Sequence, residues 1–294
     1  MAKRRIRDKG QRTKDKGQIS NIKHQTLYAN RLHSVYKIYQ IIVLLPVVIL
    51  TSAWAGTTMA VMCPLAGWLE QHLPFRLGIM TRPDWWGTFA SRWWAKIIMR
   101  ASLLKVTVEG RENLSLLGEN GKTSCVFVAN HQGAYDIFLI CGYLGVEIRW
   151  MLKKELEKIP FLGIGCRHAG YIYVDKSSRA AVRDTYRGAE EALKDGASVM
   201  VFPEGARTHD GKMQPFRRGA FTLADELQLP VVPLTINGSF DVLPRHRDGK
   251  FIKRHPLSLT IHKPIYPLSK GHENIERLKK ESYEAIERGL KVNG

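Results

Sequence analysis

No charged residue interrupts the chain between Ile38 and Leu69, and this run constrains everything around it. It contains Ile41-Ile42-Val43-Leu44-Leu45 and Val47-Val48-Ile49-Leu50. Thirty-two uncharged residues exceed what an ordinary buried helix needs and are enough to enter a bilayer. A secretory leader cut at Ala53-Trp54-Ala55 is a competing reading. The basic region before it is longer than a leader's, however, and the apolar character continues past the cleavage point. Pro46, Gly56 and Pro64 are expected to break the run into two pieces, which suits a helical hairpin that dips in and returns. Basic residues precede it, and Arg76, Arg82, Arg92, Lys96 and Arg100 follow it, so both ends are expected on the cytoplasmic side. Trp85, Trp86, Trp93 and Trp94, interleaved with Arg92 and Lys96, read as an interfacial belt, with plain core packing as the alternative for each ring.

Residues 1–37 hold eleven Lys or Arg against only Asp8 and Asp15, which predicts a tail disordered to at least about residue 24. The chain is thus expected to divide into a basic tail (1–37), a membrane-anchoring helical segment (38–100) and one catalytic domain (101–294). The formal charge of +18, from 45 Lys and Arg against 27 Asp and Glu, predicts attraction to polyanions. Charge alone does not choose between nucleic acid, anionic lipid and phosphorylated substrates. The four cysteines, Cys63, Cys125, Cys141 and Cys166, form no C-x-x-C pair and read as free thiols of a reducing compartment.

Beyond residue 100 short β-like runs alternate with helical ones, the pattern of an α/β layer structure. Strands are expected at 105–109, 125–129, 148–152, 171–174, 198–202, 231–236 and 257–261, and helices at 135–144, 178–194, 219–227 and 274–291. His131 then leaves the end of an apolar strand at the mouth of a helix, where open α/β sheets place their chemistry. Asp136 falls in the first turn of that helix. Its carboxylate can reach the imidazole, fix the tautomer and leave the other nitrogen free as a general base. The bland alternative is an Asp that only caps the helix. Phe202-Pro203-Glu204-Gly205-Ala206-Arg207 follows a second apolar strand and is followed by the basic pair Arg217-Arg218. An arginine in such a turn can hold a phosphate bidentately, while an Arg–Glu surface pair is the plainer reading. A base beside an anion site suits acyl transfer to a phosphorylated alcohol.

In series, these residues resemble the glycerolipid acyltransferases, in particular the 1-acyl-sn-glycerol-3-phosphate acyltransferases. The resemblance spans roughly residues 100 to 265 in four ordered blocks. Asn130 to Asp136 match the family's N-H-x-x-x-x-D motif. Gly170 to Lys176, preceded by Lys153-Lys154-Glu155-Leu156 and Ile159 to Gly163, look like its acceptor-binding region. Phe202 to Arg207 are similar to F-P-E-G-T-R-S, with Ala206 and Thr208 where Thr and Ser are usual. Leu229-Pro230-Val231-Val232-Pro233 are similar to its proline-containing strand.

The resemblance implies a mixed α/β sheet flanked by helices, of the glycerol-3-phosphate acyltransferase type, behind an N-terminal membrane-associated helical segment. It implies His131 and Asp136 as catalytic pair, and Glu204, Gly205, Arg207, Lys153 and Lys176 around the acceptor, with Glu204 orienting the Arg207 turn. It implies lysophosphatidic acid as acceptor, acyl carrier protein or coenzyme A thioester as donor, membrane lipids as surroundings, no tightly bound cofactor or metal and no specific nucleic acid. A bacterial inner membrane is the expected location. Another lysophospholipid or a lyso-aminolipid would use the same base, and a non-catalytic basic protein binding membrane or nucleic acid is the alternative from a different class. No G-x-S-x-G elbow occurs, which disfavours a serine hydrolase, and the remaining histidines lack metal-site spacing. Arg179, Arg183 and Arg187 share a helix face that suits acyl carrier protein, headgroups or solvent alike.

Overall fold

Buried Val126-Phe127-Val128-Ala129 and Val231 to Asn237 are apolar on nearly every position, as strands covered on both faces must be. The computed structural model describes residues 31–72, 83–117, 124–159, 162–175, 177–194, 196–247 and 251–291. The predicted disorder of the first two dozen residues, Arg76, Arg82 and Lys176 lie outside them. The chain divides into Met1–Pro46 and Val47–Gly294.

The strands are β1 (Val106–Glu109), β2 (Val126–Ala129), β3 (Ile148–Lys153), β4 (Ile172–Val174), β5 (Ser198–Val201), β6 (Val231–Asn237) and β7 (Leu257–Ile261). All seven expected strands form, within a residue or two at their ends. They make one sheet in the order β1-β7-β6-β2-β5-β3-β4, parallel throughout except between β6 and β7. The helices are α1 (Leu45–His72), α2 (Pro83–Ala101), α3 (Tyr135–Tyr143), α4 (Leu162–His168), α5 (Arg179–Lys194), α6 (Gly219–Leu227), α7 (Ser239–Val242) and α8 (His272–Gly289). One face of the sheet packs Val126, Val128 and Val199 against Ala189 and Leu193 of α5, Phe221 and Leu223 of α6, and Leu278 and Ile286 of α8. Leu139 and Ile140 of α3 and Ile98 and Met99 of α2 are buried too, and α2 packs along α3.

The expected breaks at Pro46, Gly56 and Pro64 do not occur. Helix runs from Arg31 to His72, with a mean hydropathy of 2.0 in its most apolar window. It is long and apolar enough to cross a membrane. Ahead of Pro46 the turn Gln40–Leu44 is π-helical, and the Leu45 N–H bonds the Gln40 carbonyl. Widening the turn relieves the clash that a proline ring imposes on the preceding turn. Pro64 is carried inside α1, as prolines are in apolar helices whose neighbours support the freed carbonyl. Gly56 marks a close approach: a Cβ on Gly165 of α4 would stand 2.8 Å from its carbonyl oxygen.

One face of α1, with Ala55, Met59 and Cys63, packs against Ala90 and Ala169, with Trp86, Trp94 and Tyr171 at its border. The Trp94 indole N–H donates to Ser52 Oγ at 2.9 Å. The opposite face leaves Ile49, Leu50, Val61, Leu65 and Trp68 exposed. The tryptophan belt therefore splits. Trp86 and Trp94 pack inward, because the small residues of α1 leave room for large rings, whereas Trp93 is exposed with the Lys96 ammonium 5.8 Å from its ring centre.

Candidate active site

Parallel pairing brings the carboxyl ends of β2, β5 and β3 to one edge, with Val128 level with Val201 and Trp150 level with Met200. Asn130 extends the β2–β6 ladder by a side chain: its Nδ2 donates to the Ile236 carbonyl and its Oδ1 accepts the Ile236 N–H, both at 2.8 Å. The buried amide thereby anchors the point at which the chain turns toward His131.

His131 Nδ1 lies 2.7 Å from Asp136 Oδ2. The same oxygen accepts the backbone N–H groups of Gln132 at 2.7 Å and Gly133 at 3.0 Å. Asp136 is fully buried, while the His131 side chain keeps 15% of its surface. The carboxylate thus organises the loop before its own helix instead of capping that helix. Nε2 of His131 has no hydrogen-bond partner among the described residues. On one side the imidazole is stacked by Phe202, with ring centres 3.8 Å apart and planes 9° from parallel.

The second turn is latched to the first through main-chain atoms. The His131 N–H donates to Glu204 Oε1 at 2.7 Å, and the Thr208 N–H donates to the His131 carbonyl at 2.9 Å. Glu204 Oε2 accepts the Gln214 N–H at 2.9 Å. Glu204 is buried with both oxygens engaged, so it is a strut between the turns. Burial pushes its carboxyl up to about 7; the Gln214 and His131 donors pull it down, and the Asp136 charge adds to the rise. Gly205 holds φ at +79°, a conformation costly for any side chain.

Arg207 is half-buried next to Thr208, whose backbone touches His131. The Thr208 hydroxyl is turned to Asp210 Oδ1 at 2.9 Å. Lys153 is exposed at the end of β3, which lies two strands from β2, roughly 10 Å by strand spacing. On α5 Arg187 pairs with Asp184 of its own helix, and Arg183 is exposed. The sequence reading missed three contributors: Phe202 as the stacking partner, Gln214 as the second ligand of Glu204, and Gly133. A Cβ at Gly133 would stand 2.4 Å from the Ser239 carbonyl oxygen, so the loop after His131 lies against α7. None of these carries a local signal, since each is defined by a partner more than seven residues away.

Residues 105–237 match the acyltransferase family model. The chain is 34% identical over 178 residues to the chloroplastic 1-acyl-sn-glycerol-3-phosphate acyltransferase BAT2 of Brassica napus, covering 60% of this chain and 50% of that protein. It is 32% identical to the 1-acyl-sn-glycerol-3-phosphate acyltransferase of Saccharomyces cerevisiae, over 71% of this chain and 63% of that one. The chain thus spans about half to two thirds of the length of these relatives. The crystal structure of the 1-acyl-sn-glycerophosphate (LPA) acyltransferase PlsC from Thermotoga maritima superposes with a TM-score of 0.63 at 27% identity, covering 82% of this chain and 92% of that one. The clamped His131, the latched Glu204 turn and strands β1 to β6 all fall within the stretch, residues 105–237, that matches the acyltransferase family model.

Proposed function

We propose that the chain transfers a fatty acyl group from an acyl thioester to the free hydroxyl of 1-acyl-sn-glycerol-3-phosphate, forming phosphatidic acid. The observation that carries this reading is the His131 clamp: Nδ1 is held by a buried carboxylate while Nε2 has no partner among the described residues. With Nδ1–H committed to Asp136, Nε2 takes the hydroxyl proton as the oxygen attacks the thioester carbonyl. The tetrahedral intermediate collapses with loss of the thiolate, which recovers the proton from the imidazolium. Asp136 favours that imidazolium electrostatically, and no covalent acyl-enzyme forms. Arg207 holds the acceptor phosphate, and the resemblance assigns Lys153 and Lys176 to the same role. The names of the relatives support this acceptor. The donor is the thioester of acyl carrier protein or coenzyme A, and no cofactor is resident.

The apolar helix from Arg31 to His72 anchors the chain in a membrane, which in this reading is a bacterial inner membrane with the catalytic edge on the cytoplasmic side. The test is transfer of labelled acyl groups to lysophosphatidic acid by membranes bearing wild type or His131→Ala, with other lysolipids assayed in parallel. Phosphatidic acid formation should fall by about 10²- to 10⁴-fold in the variant. Equal rates would sink the mechanism, and transfer only to another lysolipid would replace the acceptor.

A further inference from the structure

The two arginines of the pair at 217 and 218 part company in the structure. Arg218 is occupied: its Nε meets Glu276 Oε1 at 3.0 Å, and its Nη2 lies 2.6 Å from His272 Nδ1. The Arg217 side chain is exposed and has no hydrogen-bond or ion-pair partner among the described residues. It is nonetheless placed. Its backbone N–H donates to the Pro203 carbonyl at 2.9 Å, and its guanidinium lies across the bare Cα of Gly205, where a Cβ would come within 2.9 Å of both Nε and Cζ. The nearest carboxylate in that turn, Glu204, is already committed to two backbone donors. A glycine in the left-handed region thus opens a berth for an uncompensated guanidinium on the turn that carries Arg207.

We infer that Arg217 is a second anion-binding side chain of the active site, holding the phosphate monoester of the acceptor together with Arg207. Its planar fork matches a phosphate bidentately. Gly205 contributes by leaving space for that fork. The inference rests on the acyl-transfer reading for the identity of the ligand, and on the Gly205 geometry for the site itself.

The experiment uses the full chain in proteoliposomes as wild type, Arg217→Ala, Arg217→Lys and Arg218→Ala. It reads kcat and KM for lysophosphatidic acid, and calorimetric binding of sn-glycerol 3-phosphate without turnover. Arg217→Ala should raise KM and weaken sn-glycerol 3-phosphate binding together by on the order of 10- to 100-fold, with kcat within about twofold. Arg217→Lys should recover part of the loss, since it keeps the charge but not the fork. Arg218→Ala should leave both constants unmoved. An unchanged KM and unchanged binding in a normally melting Arg217→Ala would overturn the inference, as would a fall in kcat alone. Loss of binding in Arg217→Ala with no lysolipid acylated by the wild type would keep the anion site and sink the acyl-transfer reading.

Discussion

At the scale of single residues, the site depends on two carboxylates with different duties. Asp136 faces the imidazole, and Glu204 faces only main-chain donors. Asp136→Asn keeps an acceptor of similar shape but removes the charge that favours the imidazolium. We expect kcat to fall by about 10²- to 10⁴-fold with KM nearly unchanged, as steady-state kinetics on lysophosphatidic acid would record. The pairing of His131 with Asp136 was legible because five residues of spacing across a strand end and a helix start leave few other arrangements. The role of Glu204 was legible only in outline. Its partners, the N–H groups of His131 and Gln214, lie 73 and 10 residues away, and backbone donors leave no trace in residue identity.

At the scale of elements, Asn130 shows how a polar side chain can finish a strand. Asn130→Ala would leave the buried N–H and C=O of Ile236 unpaired and should cost on the order of 2–4 kcal/mol, seen as a lower unfolding midpoint in denaturant. The strands were readable because continuous apolar runs bounded by turn residues have few other uses. The seven-residue α4 and four-residue α7 were not, since a helix of one or two turns shows too little periodicity to register. The apolar helix was misread at its prolines because rules for helix breaking describe chains in water, and here a π-helical turn absorbs Pro46. Its exposed face makes a separate prediction. Leu50→Asp with Leu65→Asp places two charges where the helix offers only apolar surface, at about 2.5–3.5 kcal/mol each near a bilayer centre. Fractionation of cells should then show less of the chain in the membrane pellet than for wild type.

At the scale of the whole molecule, the raised carboxyl of Glu204 ties stability to pH. Held up at about 7 against an ordinary 4.5, it keeps its proton in the folded chain where the unfolded chain has lost it. Its contribution is therefore full below about 4.5 and fades as pH climbs to about 7, amounting to about 3 kcal/mol in all. Unfolding of wild type and Glu204→Gln in detergent between pH 4 and pH 8 should show the wild type losing stability across this window relative to the variant; parallel curves would refute the linkage. The packed side of α1 has a consequence for handling the protein. Ala55, Met59 and Cys63 cover Ala90, Ala169 and the flanks of Trp86, Trp94 and Tyr171. A fragment of the sheet domain cut free of that helix would carry an uncovered aromatic scar and self-associate, so purification belongs in detergent or nanodiscs with the helix retained.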